Sequence, residues 1–412
     1  MHCPPAYSGV GVVVAGSKAP GAPYADAHTN PYIAGHHVLL AHAEAVDVFR
    51  TSRHVGTGHQ IGITNNCDWN EPASSDPADV AAAERANEWW LAWFADPIWL
   101  GDYPQSMKDR LSSRLPSFTS AEKRKLWGSA DFFGLNHYGS AFARDKPVPA
   151  GYDEPGGERA SYWSDYEADQ FRTVDMPNAA SVWLFSVPWG LRKLLNWVHR
   201  RYGGPAIYVT ENGWSTPGNA TWQESVADDD RVLFYHNYTS ELQRAFNEDG
   251  VDVRGYFAWS LMDNFEWERG FSERFGLVYV DFVSQDRHVK NSARWFTATL
   301  TANAVADPCP HLTSPSPGCS TLHDATRPEP PVECAHVPGD ASPGDAGPQG
   351  GALDALSMAV LGAVASLIAT LVVQAFYQRL VGSGRDPESA VARMVVVDDH
   401  DGADEHELTH CR

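Results

Sequence analysis

The chain has 412 residues, which is long enough for one large domain with appendages or for two domains. Hydrophobic residues make up 43% and aromatic residues 11%, including 15 tryptophans, a globular composition that favours flat apolar ligands or a strongly aromatic core. The formal net charge of −21 repels phosphate backbones, so the composition argues against a nucleic-acid partner.

Short apolar segments alternate with long amphipathic ones in the larger, amino-terminal part of the chain. Compact, β-branched or aromatic runs bounded by polar residues predict four strands, at 60–64, 131–136, 206–212 and 253–260. Helical periodicity predicts helices at 76–94, 187–203 and 229–250, the first of them opened by Asp76 and Pro77. Strand followed by helix, repeated, predicts parallel βα units, of which four are visible.

Three of these strands end in polar or aromatic residues that could form a functional site. Glu211 ends one strand, Asn136 and Tyr138 follow another, and Trp259 ends the last. Alone, Glu211 would be a solvated carboxylate before an Asn-Gly turn, and the two aromatic residues would be core side chains. Because reactive groups of parallel βα barrels sit at the carboxyl ends of the strands, their joint placement favours a sugar-binding mouth instead.

The motifs at these strand ends resemble those of one enzyme family. The runs "IYVTENGW" and "GYFAWSLMDNFEWERGFSERFGLVYVDF" closely resemble the nucleophile motif and carboxy-terminal signature of glycoside hydrolase family 1, which includes β-glucosidases, lactases and myrosinases. The segments "IGITNNCDWNEPAS" and "DFFGLNHYGS" match its middle region, and the resemblance covers about residues 19–300. It implies an α/β fold, the (β/α)8 TIM barrel, and hydrolysis of β-linked sugars with retention and without a metal or organic cofactor.

The resemblance also implies a role for each matching residue. Glu211 is the nucleophile that forms a glycosyl-enzyme ester, and Tyr138 hydrogen-bonds its carboxylate and holds it ionised. The remaining residues bind the sugar: Glu266 and Trp267 at the glycone hydroxyls, Trp259 and Phe275 as apolar walls, and Asn136 as a support of the same wall.

A retaining enzyme also needs an acid, which this family places in an Asn-Glu-Pro directly after the fourth strand. Here Asn70-Glu71-Pro72 follows the strand at 60–64 only after a five-residue run. At about 3.3 Å per residue, that run could carry Glu71 more than about 15 Å from the strand end, on a poorly fixed loop. Its surroundings match what the family carries after its fifth strand, so we interpret Glu71 as lying outside the sugar site.

The resemblance would place the acid's motif near residues 3–5, where the sequence reads Cys3-Pro4-Pro5. We therefore expect the chain to carry only about the second half of the barrel, in 1–303, without the acid and with impaired hydrolysis. Two alternatives stay open. One is a catalytically inactive glycan-binding or receptor-like membrane protein on the same fold, and the other is a transglycosylase.

The carboxy-terminal part predicts a membrane anchor. Residues 304–353 are a Pro/Gly/Ser-rich linker, and 354–378 contain 24 consecutive uncharged residues, enough to cross about 30 Å of hydrocarbon. Arginines follow this run, so the positive-inside rule predicts a type I protein with 379–412 in the cytosol and the rest lumenal or extracellular. The sequons at Asn219 and Asn237 fit that side of a membrane. A disulfide among Cys309, Cys319 and Cys334 also fits that side of a membrane, and its pairing stays open. The oligomeric state stays open as well.

Overall fold

The computed structural model describes residues 28–53, 55–56, 58–148 and 161–313. Its helices are α1 (Asn30–Thr51), α2 (Pro77–Asn87), α3 (Trp93–Trp99), α4 (Gln105–Leu111), α5 (Ser120–Leu126), α6 (Tyr162–Asp165), α7 (Pro188–Tyr202), α8 (Trp222–Val226), α9 (Asp229–Asn247) and α10 (Asn291–Ala302). Its strands are β1 (Ile63–Asn66), β2 (Trp69–Pro72), β3 (Phe133–Asn136), β4 (Ser140–Asp145), β5 (Ala168–Phe171), β6 (Ile207–Asn212), β7 (Thr216–Pro217), β8 (Val253–Ala258), β9 (Glu273–Arg274), β10 (Val278–Val280) and β11 (Arg287–Val289).

The main sheet has four parallel strands in the order β1-β3-β6-β8. Each strand pairs with the next strand of this sheet along the chain, with helices in every connection, which is the arrangement of consecutive βα units in a barrel wall. The four predicted strands and their parallel direction are thereby confirmed, but the first strand spans Ile63–Asn66 and not 60–64. At the ends of this sheet, β1 pairs only with β3 and β8 only with β6 among the described residues.

The predicted helices form where the sequence places them. The Asp76 side chain accepts a hydrogen bond from the Ala78 amide at 2.9 Å and caps α2, with Pro77 in its first turn. A π-helical turn, Glu88–Ala92, joins α2 to α3, so the helical stretch runs to Trp99 rather than ending at 94. Helix α7 ends at Gly203, whose φ of 74° is left-handed and suits glycine.

The largest core cluster lies between the main sheet and the helices that follow it. Phe133, Leu135 and Val209 of the sheet are fully buried in it together with Leu191 and Leu194 of α7. Apolar residues on one face of α7 recur at helical spacing, which explains why this helix covers the sheet. The opposite side chains of the strands include Thr64 and Thr210, whose hydroxyls lie 3.2 Å apart and line the interior of the barrel wall.

A second sheet, which the sequence analysis did not predict, contains β2, β4 and β5. Strand β2 runs parallel to β4, with Glu71 opposite Phe142, and β5 completes the sheet in the antiparallel direction. Residues 69–72 therefore lie in an extended, paired strand. The expectation that Glu71 sits on a loop is wrong, because backbone pairing fixes this segment.

The boundary of the barrel part also differs from the prediction. Residues 304–313, assigned to the linker, pack on the last helices of the barrel wall. The Trp295 indole donates to the Ala306 carbonyl at 3.0 Å, and the Thr313 amide donates to the Asp229 carboxylate at 2.9 Å. The compact part therefore continues at least to Thr313.

The predicted membrane span, 354–378, the cytosolic tail, the rest of the linker and Cys3-Pro4-Pro5 lie outside the described residues. So do Cys319 and Cys334; Cys309 is disulfide-bonded, and which cysteine it pairs with stays a prediction. Within the described part of the chain, no helix has the length and apolar character needed to cross a bilayer.

Candidate active site

The carboxyl ends of β3, β6 and β8 are adjacent, and four of the predicted site residues lie at or just after them: Asn136, Tyr138, Glu211 and Trp259. The Tyr138 hydroxyl donates a 2.8 Å hydrogen bond to Oε2 of Glu211. The amide of His137 donates to the Glu211 carbonyl at 2.9 Å, so backbone and side chain both join the two strand ends. This is the contact that the motif resemblance implies between the carboxylate and the phenol.

The residues on either side of Glu211 are anchored to neighbouring strands. The Thr210 hydroxyl donates to Oδ1 of Asn136 at 2.7 Å, and the Asn212 amide nitrogen donates to the His137 carbonyl at 2.7 Å. The Tyr256 hydroxyl of β8 donates to the amide oxygen of Asn212 at 2.5 Å. Because both flanking side chains are fixed, the Glu211 backbone has little freedom to shift, which preorganises its carboxylate.

Tyr138 is protonated and oriented by its surroundings. Burial raises the pKa of its phenol well above the usual range, and the negative charges of Glu211 and Glu266 raise it further. The hydroxyl is therefore protonated and able to donate at neutral pH. The influence of Glu266 also indicates that its charge lies near the Tyr138 phenol.

Two aromatic rings contact Tyr138 edge-on. Trp183 lies 5.6 Å from it, ring centroid to centroid, at 80°, and Phe275 lies 6.3 Å away at 82°. Phe275 is only 2% exposed and backs the phenol, so it does not present the open apolar wall that the resemblance implies. Trp183 is 44% exposed beside the same ring, and it is the aromatic surface that the sequence analysis missed.

Trp259 directly follows β8 and is tied to β6 through its backbone. Its amide donates to the Asn212 carbonyl at 2.7 Å, and its carbonyl accepts a 3.1 Å hydrogen bond from the Tyr235 hydroxyl. A Cβ atom at Gly213 would lie 1.9 Å from the Trp259 carbonyl oxygen. The glycine of the "TENG" run is therefore required for the close approach of the two strand ends.

Glu266 and Trp267 lie on the long connection after β8. The Glu266 amide donates to the Gly270 carbonyl at 2.7 Å, which closes a tight turn at the tip of the connection. Trp267 has a φ of 43°, in the left-handed region that bulky residues rarely occupy, and it is 53% exposed. The turn thus holds a carboxylate and an exposed indole together, a combination suited to sugar hydroxyls and sugar faces.

Glu71 lies in the second sheet, away from this set of contacts. Its Oε1 accepts from Nζ of Lys193 at 2.8 Å and its Oε2 accepts from the Trp69 indole at 2.7 Å. Both carboxylate oxygens are therefore engaged by α7 and by β2 itself. This placement agrees with the interpretation that Glu71 is not the acid of the site.

The family model described as "Glycosyl hydrolase family 1" matches residues 5–305. The chain belongs to glycosyl hydrolase family 1. Beta-glucosidase 4 of Oryza sativa subsp. japonica is 45% identical over 275 residues, which are 65% of this chain and 56% of that protein. Beta-glucosidase 42 of Arabidopsis thaliana is 42% identical over 285 residues, or 66% and 55%.

Solved structures of family 1 members have a similar fold. The rice Os3BGlu6 β-glucosidase is 36% identical, with a TM-score of 0.66 over 72% of this chain and 64% of that one. A family 1 β-glucosidase from Humicola insolens, solved in complex with glucose, gives a TM-score of 0.67 at 36% identity, over 73% and 65%. These matches identify the four βα units as part of the (β/α)8 barrel of the family. The chain spans about half the length of the curated relatives that it matches.

Proposed function

We propose that this family 1 chain carries the nucleophile side of a retaining β-glycosidase site that acts on β-glucosides or related β-linked sugars, without a metal or organic cofactor. The observation that carries the proposal is the 2.8 Å hydrogen bond from Tyr138 to Glu211 at adjoining strand ends. The names of the relatives support a β-glucosidase, and a mutant of the rice Os3BGlu6 enzyme was solved in a covalent complex with Glc.

In the first step, a carboxylate oxygen of Glu211 attacks the anomeric carbon and forms an ester. The bond from that carbon to the leaving oxygen breaks, the oxygen keeps the electron pair, and a general acid supplies its proton. In the second step, water attacks the ester, gives its proton to the same group, and frees Glu211. The proposal assigns the nucleophile to Glu211 and gives Glu71 no part in either proton transfer.

The proposed sugar-binding surface consists of one carboxylate and three indoles: Glu266, Trp267, Trp259 and Trp183. The Glu266 carboxylate accepts hydrogen bonds from sugar hydroxyls, and the indoles contact the apolar faces of the sugar and of the leaving group. Asn136 acts behind them, through its contact with Thr210. These residues come from the strand ends of β3 and β8, from the connection after β8 and from the connection between β5 and α7.

The test is covalent labelling of the full chain with a dinitrophenyl 2-fluoro-glucoside, whose leaving group needs little protonation and whose ester hydrolyses slowly. We expect the sugar mass on the peptide that contains Glu211, and no labelling of Glu211→Gln. Glu71→Gln is the matched control and should be labelled like the unmodified chain. Labelling at another carboxylate would overturn the assignment, and glucose binding without any labelling would favour the glycan-binding alternative.

We further propose that residues 354–378 anchor the protein in a membrane as a type I protein, with the barrel part lumenal or extracellular. The uncharged run and the arginines after it support this orientation. Asn219 lies exposed in the turn after β7, whereas Asn237 is half-buried on α9, so Asn219 is the better glycan acceptor. Protease added to sealed vesicles should remove only the tail after Arg379, and a glycan is expected at Asn219. Full protection of the tail would contradict this topology.

A further inference from the structure

The connection after β8 leaves the sheet and returns to it through a narrow neck. The Ser260 amide donates to the Phe275 carbonyl at 3.1 Å, and the Leu277 amide donates to the Ser260 carbonyl at 2.8 Å. The Asp263 amide donates to the Val278 carbonyl at 3.0 Å. These hydrogen bonds form the neck, and Asp263 lies in it. The loop of residues 264–275 projects from the neck and includes Glu266, Trp267 and Phe275.

The Asp263 carboxylate fills this neck. Its Oδ1 accepts hydrogen bonds from Nζ of Lys290 and from the Gly276 amide, both at 2.9 Å. Its Oδ2 accepts from Nη1 of Arg274 at 2.8 Å and from the Val280 amide at 3.3 Å. The side chains of Asp263 and Lys290 are 0% exposed and that of Arg274 is 6% exposed, so water does not substitute for these partners.

The two cations are themselves fixed to other parts of the fold. Lys290 immediately precedes α10, and its amide donates to the Leu277 carbonyl at 3.1 Å. Arg274 donates to the Gly218 carbonyl at 3.2 Å, next to β7, and its guanidinium lies 4.2 Å from the ring centroid of Tyr279. Asp263 thus connects the neck to α10 on one side and to the turn after β7 on the other.

A buried ion pair of this kind gives little net stability, because desolvation of the charges offsets their attraction. Its geometric effect is larger, because a carboxylate with four fixed donors has one low-energy position. Glu266 and Trp267 follow Asp263 by only three and four residues. We propose that Asp263, held by Lys290 and Arg274, is a positioning residue that sets the place of Glu266 and Trp267 in the sugar site.

The proposal rests on the proposed function for its effect on sugar chemistry, but its geometric part can be tested alone. In the full chain, hydrogen exchange is measured by mass spectrometry for 264–275 and for α9 as an internal reference. Asp263→Asn should speed exchange in 264–275 by tenfold or more and leave α9 unchanged. Asp281→Asn is the matched control, because Asp281 also accepts from two backbone amides, at 2.8 and 3.0 Å, in an exposed turn outside the segment.

The same variants are then labelled with the dinitrophenyl 2-fluoro-glucoside. Asp263→Asn should slow labelling at Glu211 by tenfold or more, and Asp281→Asn should not. Unchanged exchange in 264–275, or equal acceleration in α9, would overturn the proposal. If Asp263→Asn does not fold, Lys290→Met is compared with Asp281→Asn in the same two measurements. Lys290→Met leaves the hydrogen bonds from Arg274 and from both backbone amides to Asp263 in place. If the unmodified chain is not labelled, the proposed function fails while the exchange result still decides the role of Asp263.

Discussion

The Tyr138 hydroxyl lies 2.8 Å from Oε2 of Glu211 and donates to it from a buried position. A hydrogen bond to a charged acceptor contributes about 1.5–3 kcal/mol, and each 1.36 kcal/mol corresponds to tenfold in rate. We therefore expect Tyr138→Phe to slow labelling at Glu211 by the 2-fluoro-glucoside by about 10- to 100-fold, because the carboxylate loses its orientation.

The matched control for this change is Tyr202→Phe. Tyr202 is also buried and donates to a carboxylate, Oδ1 of Asp96, at 2.9 Å, but it lies at the end of α7 before β6 begins. Its loss should lower thermal stability without slowing the labelling of correctly folded protein. Equal slowing in both variants would show that the Tyr138 effect is a general consequence of losing a buried hydrogen bond.

The second prediction concerns Glu71. Replacement by glutamine removes its ion pair with Lys193, whose side chain is 34% exposed and can be hydrated instead. We expect Glu71→Gln to cost less than about 1 kcal/mol of unfolding free energy, and its labelling rate at Glu211 to stay within about twofold of the unmodified rate. Denaturant unfolding and the labelling rate measure the two effects. A labelling rate reduced as strongly as in Tyr138→Phe would show that Glu71 takes part in the reaction at the active site.

The third prediction is a pH dependence of stability at Asp249. Oδ2 and Oδ1 of Asp249 accept hydrogen bonds from Arg192 at 2.7 and 2.6 Å, and this pairing, together with Asn196, lowers the carboxyl pKa to about 2. A group whose pKa is lower in the folded state stabilises the protein above its unfolded pKa, and this contribution disappears as the pH falls toward 2. Asp249→Asn should therefore lower the unfolding free energy by about 1 kcal/mol at pH 7.

The difference between Asp249→Asn and the unmodified chain should shrink as the pH falls below about 4, measured by urea unfolding at several pH values. Asp252→Asn is the control, because the Asp252–Arg254 pair is largely exposed and should matter much less. A difference that is constant between pH 7 and pH 3 would contradict the ionic origin of the effect.

The fourth prediction uses the buried Lys290. Burial, together with the nearby positive charge of Arg231, lowers its pKa to about 7 against the opposing effects of Asp263 and Asp228. An unfolded lysine titrates near about 10.4, so between pH 7 and pH 10 the unfolded chain binds more protons than the folded one, and stability rises with pH. Relative to Lys290→Met, the unmodified chain should gain up to about 1.4 kcal/mol per pH unit in this window. If the unfolding free energies of the unmodified chain and of Lys290→Met change in parallel between pH 7 and pH 10, the pKa of Lys290 is not lowered.

Local patterns predicted the elements of the barrel wall. Asp76 and Pro77 open α2 as expected, and the run at 206–212 forms β6 almost residue for residue. The second sheet was missed because β2 is four residues long, reads "WNEP", and gains its conformation from pairing with β4 and not from its own propensity. Short polar strands of this kind depend on tertiary contacts.

The site was predicted through motifs, and the supporting contacts were not. Glu211 and Tyr138 stand in runs that a single sequence reveals. The pairing of Asp263 with Lys290, 27 residues later, has no local signal, because many charged residues could pair and only the folded chain selects one. The same reason explains why Trp183 and Tyr256 were not expected next to Tyr138 and Asn212.

The outer edge of β8 has a consequence for how this polypeptide behaves in concentrated solution. Among the described residues, β8 pairs only with β6, and Phe257 in this strand is 56% exposed. The backbone groups on that edge are a template on which another extended strand can add, and the aromatic side chain favours such addition. The rate of association through β8 depends on the square of the protein concentration. Low protein concentration and short incubation therefore favour the monomer. Any segment that covers this edge prevents the association of two molecules through it.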